Sequence, residues 1–161
     1  MGRSVFFSFH FQNDHWRAAQ VRAMGTIEGT SELSDNDWEA VKKKGNAAIE
    51  SWIDAQMKGT SCTVVLVGSG TAGRPWIDSE NKRSWELKKG LVGIRIHNLL
   101  NASSKSDNAG ANPFATWKVG EKPMTDFVSL YNPPGADSKQ VYKSIADNID
   151  AWVEAAIKAR G

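Results

Sequence analysis

The stretch Cys62-Thr63-Val64-Val65-Leu66-Val67-Gly68 decides the fold of this chain. Nearly all of its residues are apolar and most are β-branched, a composition that favours an extended strand. It lacks the polar and apolar alternation of a half-exposed strand, so both of its faces are expected to be buried. Such strands occur in parallel sheets that helices cover on both sides. We therefore expect this stretch to be an inner strand of an α/β domain.

Strand-like and helix-like segments alternate on either side of this stretch. The predicted strands are Ser4–Phe9, a short one around Thr26 and Ile27, Cys62–Gly68, Leu91–Ile96 and Phe127–Tyr131. The predicted helices run from a cap at Asp14 to Met24, from Asp35 to Lys58, from Pro75 to Lys89 with Gly90 as the stop, and from Asp137 to Arg160. This order predicts a flavodoxin-like three-layer α/β sandwich with a central, mostly parallel sheet of about five strands.

Three tryptophans and one long segment complete this outline. Trp38, Trp52 and Trp152 recur at helical spacing with other apolar residues, so they are predicted to pack in the core. Residues 98–122 are rich in Ser, Asn, Ala and Gly, which favours a long loop or excursion from the sheet.

Composition limits the classes of protein that the chain can belong to. Its 161 residues are 40% hydrophobic and 24% charged, which fits a single globular domain over residues 1–161. A net charge of +2 without a long basic tract does not favour a nucleic-acid partner. No apolar run reaches the ~20 residues of a membrane span, and the first residues lack a secretory signal. The single cysteine suits a reducing compartment, so we expect a cytoplasmic protein with no membrane partner.

Ligands of doubly wound sheets bind at the carboxyl ends of the strands, where the strand order reverses. This rule selects residues 10–14, residues 68–76 and the chain from His97 onward. The second of these carries glycines that would let backbone amides approach a phosphate at a helix N-terminus. It matches neither GxGxxG nor GxxxxGK[ST], so a plain connection and a phosphate cradle both stay open.

The helix after this loop brings a carboxylate to the predicted crevice. Trp76 and Glu80 are four residues apart and share one helix face near its N-terminus. An ordinary solvent-facing glutamate beside a packed tryptophan is the alternative interpretation. Glu86 is a competing carboxylate, but it lies nearer the carboxyl end of the helix and farther from the crevice.

Ser8, His10 and Asp14 lie at or just beyond the end of the first strand. Taken alone, Asp14 fits a helix cap and His10 a loop residue. A Ser/His/Asp hydrolase is not indicated because no G-x-S-x-G turn is present. The three histidines and the one cysteine show no zinc-ligand spacing, so no metal site is expected.

Two motifs resemble a known family. Val5-Phe6-Phe7-Ser8-Phe9-His10 with Asp14 is similar to the first strand and loop of TIR domains. Val64–Ser69 followed by Trp76-Ile77-Asp78-Ser79-Glu80 resembles their buried strand and W-x-x-x-E motif. The order of elements is closest to the bacterial TIR-like branch of Thoeris antiphage defence, over roughly residues 3–100. His10 departs from the small hydroxyl residue of many TIR domains, and residues 25–34 do not match their acidic second strand.

The resemblance implies an activity and a set of partners. It implies that the chain cleaves the nicotinamide–ribose bond of NAD, with Glu80 as the catalytic residue and NAD as substrate rather than a resident cofactor. It further implies a cyclic ADP-ribose-type signal, self-association through TIR–TIR contacts and a separate effector protein that senses the product. The residues expected to bind substrate are Phe9 or Trp76 by stacking, Ser8, Gly68 and Ser69 by hydrogen bonds, and His10 and Asp14 beside them.

Two other functions compete with this one. The first is a non-catalytic TIR-like module that acts by assembling with other TIR domains. The second is a flavodoxin-like receiver, but Val67-Gly68-Ser69 supplies no phosphoacceptor aspartate. Whether Glu80 lies in a pocket with Phe9 and Ser8 or points to open solvent discriminates between enzyme and assembly module.

Overall fold

The computed structural model describes residues 4–24, 28–30, 40–101, 103–115 and 117–160, with only the backbone of residues 11, 12 and 28–30. In chain order the strands are β1 (Ser4–Ser8), β2 (Glu28–Thr30), β3 (Cys62–Val67), β4 (Gly90–Arg95), β5 (Lys118–Val119), β6 (Lys122–Pro123) and β7 (Leu130–Tyr131). The main helices are α1 (Phe11–Ala23), α2 (Asn46–Met57), α3 (Pro75–Glu86) and α4 (Ser138–Arg160), and a 3-10 turn spans Met124–Asp126.

β3 is the middle strand of a five-stranded sheet in the order β2-β1-β3-β4-β7. Every neighbouring pair in this sheet is parallel, and all six residues of β3 are buried. The predicted parallel α/β sheet, with Val64–Val67 as an inner strand, is therefore confirmed. The chain passes from β1 to β2 on one side of β1 and returns to β3 on the other, so the strand order reverses between β1 and β3.

Helices cover both faces of the sheet. Side chains of β1, β3 and β4 alternate between the faces, as in any pleated strand. On one face, Phe7, Val64 and Val92 belong to a buried cluster that includes residues of α1 and α4. On the other face, Phe6 packs with α2 and Val65 packs with α3. We refer to these below as the α1/α4 face and the α2/α3 face.

The first helix begins earlier than the sequence suggested. Its N-terminal cap is His10, whose backbone is extended, and the amide of Asp14 donates to the carbonyl of His10 over 2.8 Å. Asp14 therefore lies inside the first turn of α1, and its predicted role as the cap is wrong. Its side chain is free to make the contacts described below.

The second predicted helix is interrupted. Gly45 adopts a φ of 97°, which a glycine tolerates and most residues do not, and α2 begins directly after it. A continuous helix up to Lys58 is therefore wrong. The predicted start at Asp35, together with Trp38 and the strand around Thr26 and Ile27, lies outside the described residues.

The turn before β4 is made by a different residue from the one expected. Lys88 takes the left-handed conformation, with a φ of 59°, and Gly90 opens the strand instead of ending the helix. Gly90 is needed for space, because a side chain there would meet the backbone of Ile157 at 2.9 Å and the sulfur of Cys62 at 3.1 Å. The Cys62 thiol is fully buried, and this burial raises its pKa to about 12.

The excursion and the last strand also differ from their expected form. Residues 98–122 contain the first strand of an antiparallel hairpin, β5–β6, after a long irregular segment. Only Leu130 and Tyr131 of the last predicted strand pair with β4. Trp52 and Trp152 are half-buried and pack against the core clusters, and Trp152 stacks on Tyr131 with the ring centres 4.5 Å apart. Within the described residues, no helix is both long and apolar enough to span a membrane.

Candidate active site

The reversal of strand order places two loops side by side at the carboxyl edge of the sheet. One follows β1 at residues 9–10, and the other follows β3 at residues 68–74. This is the position at which doubly wound sheets bind ligands.

A buried carboxyl lies directly beneath this edge. Ser8 ends β1 on the α2/α3 face, the same side as Phe6, and its hydroxyl donates to Glu80 Oε1 over 2.7 Å. Glu80 sits on the second turn of α3 with 2% of its surface exposed, and Ser8 is equally enclosed. Burial raises the pKa of Glu80 to about 8, and the hydrogen bond from Ser8 opposes this shift only in part. Glu80 is therefore largely protonated at neutral pH.

Two rings and a guanidinium stand beside this carboxyl. The rings of His10 and Trp76 are tilted, with centres 6.0 Å apart, and both side chains are mostly buried. The guanidinium of Arg74 lies 5.8 Å from the centre of the Trp76 ring, and its Nε donates to the carbonyl of Gly70. The cluster has the flat surfaces and the positive charge that suit a nucleotide.

The loop of residues 68–74 is held by its own hydrogen bonds and by close contacts with neighbouring segments. The Gly68 amide donates to the buried Thr71 hydroxyl over 2.8 Å, so it is engaged inside the loop. A side chain at Gly68 would collide with the Asp14 carboxylate, and one at Gly110 would collide with the Gly68 carbonyl. These glycines are required because the Asp14 side chain at Gly68, and the Gly68–Ser69 backbone at Gly110, leave no room for a Cβ atom.

Asp14 supports this loop from inside the fold. Its carboxylate is fully buried and pairs with Arg17, with Oδ1 and Nη1 3.0 Å apart. Burial raises the pKa of Asp14, and the charge of Arg17 opposes the rise. Arg17 also donates to the carbonyls of Leu99 and Lys105, which ties α1 to the excursion.

A carboxylate from the excursion closes the other side of the loop. Asp107 Oδ2 accepts the Ser69 hydroxyl over 2.6 Å and the Asn13 amide over 3.1 Å. These hydrogen bonds lower the pKa of Asp107 to about 2. Sequence reasoning missed Asp107, because nothing in a Ser- and Asn-rich segment signals that it folds back over the strand ends.

The structure brings most of the predicted site residues together, with one exception. Ser8 and Glu80 are bonded, His10 and Trp76 lie at the same edge, and Ser69 lies on the adjoining loop. Phe9 instead belongs to the buried cluster of the α1/α4 face, away from Glu80.

The sequence reading also missed two buried polar side chains on the α2/α3 face. The amide of Asn81 and the hydroxyl of Thr63 have no hydrogen-bond partner in the part of the chain that is described. Asn81 lies four residues after Ile77 at an apolar helical position, a spacing that marks it as inward-facing.

The fold, the switch-point site and the W-x-x-x-E sequence on α3 define a TIR-like α/β domain. The family model described as "Thoeris protein ThsB, TIR-like domain" matches residues 6–101, and the chain belongs to this family. A protein of Bacillus cereus (strain MSX-D12), named "Putative cyclic ADP-D-ribose synthase ThsB1", is 30% identical over 125 residues. The match covers 71% of this chain and 62% of that relative, so the chain spans less than two thirds of the relative's length.

Proposed function

We propose that this protein cleaves the nicotinamide–ribose bond of NAD, with Glu80 as the carboxylate that acts on the ribose. The observation that carries the proposal is the enclosed pair of Glu80 and Ser8 at the switch point of the sheet. A buried carboxyl with a raised pKa and one fixed hydrogen-bond partner, at a ligand-binding edge, is typical of a functional group rather than a solvated one. The name of the Bacillus cereus relative, "Putative cyclic ADP-D-ribose synthase ThsB1", supports the same substrate.

The chemistry requires a negative charge next to the ribose. When nicotinamide departs it takes the bonding electron pair, and positive charge develops at the ribosyl carbon. Ionised Glu80 stabilises that charge strongly because the site is enclosed and its dielectric constant is low. The Ser8 hydroxyl keeps the carboxylate in one orientation. Ionisation is favoured when the positive charge of the substrate arrives beside a group whose pKa is about 8.

The proposal gives a role to each of the other residues at this edge of the sheet. Trp76 and His10 form the wall for a ring of the substrate, and the Ser69 hydroxyl, which Asp107 holds in place, lies beside its ribose. Gly68 shapes the loop, because its amide is already bonded to Thr71. Asp14 and Phe9 shape the site from within the fold. If the wall excludes water, a nitrogen of the substrate's own adenine attacks the ribosyl carbon and gives a cyclic ADP-ribose-type product.

We infer a cellular role from the family assignment. A cyclic nucleotide made in response to phage infection would act as a signal in the cytoplasm and be received by a separate effector protein. Self-association of this chain through TIR–TIR contacts would complete or activate the site. These partners are supported by the family assignment and by the resemblance of the two motifs.

The decisive experiment replaces the carboxyl and keeps its shape. Glu80→Gln is expected to reduce NAD turnover by on the order of 10²-fold or more, since a preorganised charge is lost. Concentrated protein is incubated with NAD, and nicotinamide and nucleotide products are quantified by mass spectrometry.

Glu86→Gln is the matched comparison for this experiment, because it alters a carboxylate on the same helix that is about half exposed. Loss of turnover in Glu86→Gln with retention in Glu80→Gln would transfer the role to Glu86. Full activity of Glu80→Gln would remove the carboxyl from the mechanism.

A non-catalytic assembly module is the second candidate. One observation favours it, namely that Glu80 is almost fully covered and that this burial raises its pKa to about 8, which disfavours the charged form at neutral pH. This candidate predicts no nicotinamide release by the native protein at any concentration, together with concentration-dependent self-association in sedimentation. Release of nicotinamide that depends on Glu80 would exclude it.

A further inference from the structure

A cleft of about 330 Å³ opens between α3 and the β5–β6 hairpin, outside the site at the strand ends. Its walls combine aromatic and aliphatic side chains with charged groups at the rim, and its lining residues are Lys82, Trp85, Glu86, Trp117, Lys118, Val119 and Met124. The volume lies at the lower end of the range of small-molecule sites. The proposed reaction takes place outside this cleft, and the family assignment gives the cleft no role.

The two indoles of the cleft are held in fixed orientations. The Arg160 guanidinium lies 3.6 Å from the centre of the Trp85 ring and also donates to the Trp85 carbonyl. Trp117 makes a side-chain hydrogen bond with Asp78, on the first turn of α3. Both indoles also pack against the buried cluster of the α2/α3 face. A ligand would therefore meet flat apolar surfaces that are already ordered, which reduces the entropy lost on binding.

The charge at the rim is positive. Lys82 and Lys118 are exposed, and neither has an ion-pair partner within the stretches that the structure describes. The carboxylate of Glu86 is 3.8 Å from Arg83 Nη1, but Arg83 is paired more closely with Asp54, so Glu86 keeps most of its negative charge and the two lysines outweigh it. The rim thus offers two ammonium groups that are unpaired among the described residues, one on α3 and one on the hairpin.

We propose that this cleft is a second ligand site, which binds a planar heteroaromatic ring carrying an anionic group, of the class of a purine nucleoside monophosphate. The indoles stack on the base, an interaction that every purine can make. The ammonium groups of Lys82 and Lys118 bind the phosphate.

The test uses the full chain and three probes in parallel: AMP, adenosine and inorganic phosphate. Binding is followed by quenching of tryptophan fluorescence and by calorimetry. AMP is expected to bind saturably and at least about tenfold more tightly than adenosine or phosphate, since it alone engages both the indoles and the lysines. Absence of saturable AMP binding up to millimolar concentration would overturn the proposal.

Variants then locate the binding. The Lys82→Ala, Lys118→Ala double variant is expected to weaken AMP binding by about tenfold or more, and it leaves the apolar packing intact. The matched control is Lys139→Ala, Lys158→Ala, which removes two exposed lysines of α4 and is expected to bind as the native chain does. Trp117→Leu tests the stacking, with circular dichroism to verify that the variant is folded. If it is not folded, the lysine pair decides alone.

The site at the strand ends must be separated from this cleft. Glu80→Gln is expected to bind AMP at the second site with unchanged affinity. AMP binding that is lost in Glu80→Gln but unaffected by the two lysine substitutions would place the nucleotide at the first site and overturn the proposal. None of these measurements depends on NAD turnover, so the result stands whether or not the proposed reaction is confirmed.

Discussion

The two faces of the central sheet bury different kinds of side chain. The α1/α4 face is an apolar cluster in which Phe7, Leu66 and Ile94 meet the aliphatic residues of α4. Its buried charges, the Asp14–Arg17 pair of α1, lie at the carboxyl edge of the sheet beside Gly68. The α2/α3 face divides its apolar residues between two smaller clusters and buries polar side chains among them. Those polar residues are Ser8, Thr63, Glu80, Asn81 and Ser84.

This difference indicates that one face mainly stabilises the fold and the other provides the groups of the proposed site. An apolar cluster is stabilised by removal of surface from water, at about 25 cal/mol per Å², without a penalty for polar groups. A buried polar group without a partner costs on the order of 1–3 kcal/mol. The α2/α3 face therefore gives up stability at the positions where the proposed site needs a carboxyl in an enclosed place. Substitutions on the two faces are expected to change the free energy of unfolding by different amounts. The changes are also expected to depend differently on pH.

The largest effect is expected on the α1/α4 face. Ile149 is fully buried on α4, so Ile149→Ala is expected to lower the free energy of unfolding by on the order of 4 kcal/mol. Urea unfolding measures this at pH 5 and pH 9, and the loss should be the same at both. Asp150→Ala, an exposed neighbour on the same helix, is the control and should change stability by less than about 0.5 kcal/mol. A loss that varies with pH would contradict the division between the faces.

A pH-dependent effect is expected at Glu80. Its pKa in the folded chain, about 8, is above its ordinary value of 4.5, so the folded state holds a proton that the unfolded state releases. The stability from this group is complete below pH 4.5 and is lost as the pH rises to 8. Between pH 5 and pH 9 the native chain should lose on the order of 3 kcal/mol more than Glu80→Gln does. If the proposed chemistry holds, turnover rises over the same range.

Equal pH profiles for the native chain and Glu80→Gln would show that the carboxyl is not enclosed in solution. The comparison uses the difference between two pH values for each protein. It is therefore insensitive to any constant cost of burying the glutamine amide.

The smallest effect is expected where the α2/α3 face buries polar atoms that have no hydrogen-bond partner among the described residues. Asn81→Leu and Thr63→Val remove such atoms and keep similar volume, so each should raise the free energy of unfolding by about 1 kcal/mol. Thermal melting measures the gain. Ser84→Ala is the comparison, because the Ser84 hydroxyl donates to the Gly90 carbonyl and its removal should not stabilise. A loss of stability in Asn81→Leu would show that its amide is satisfied in solution.

Local composition predicted the middle of the fold well. The run of residues 62–68 identified β3 and the kind of sheet around it. Its lack of polar residues indicates burial on both faces, as in a parallel sheet covered by helices. Element ends were predicted less well. The start of α1 and the turn before β4 depend on backbone angles at His10 and Lys88, which composition does not reveal.

The candidate site was predictable where it depended on spacing and not where it depended on long-range contacts. The shared helix face of Trp76 and Glu80 follows from their spacing, whereas the choice of Glu80 as the catalytic residue came only from the resemblance to TIR domains. The sequence analysis placed Phe9 and Ser8 together at the site, although strand alternation puts neighbouring side chains on opposite faces, and the structure separates them. Asp107 meets Asn13 across 94 positions of sequence, and no local pattern encodes such a contact.

The enclosed thiol of Cys62 gives the chain its own reporter of opening motions. It lies between the β3–β4 pairing and the backbone of α4, where it is inaccessible and its thiolate is suppressed. A thiol reagent can therefore react only when α4 detaches or the sheet comes apart. In native conditions the labelling rate reads the free energy of that opening directly, as amide exchange does for backbone groups. Because the chain contains one cysteine, every labelled molecule reports the opening that exposes Cys62.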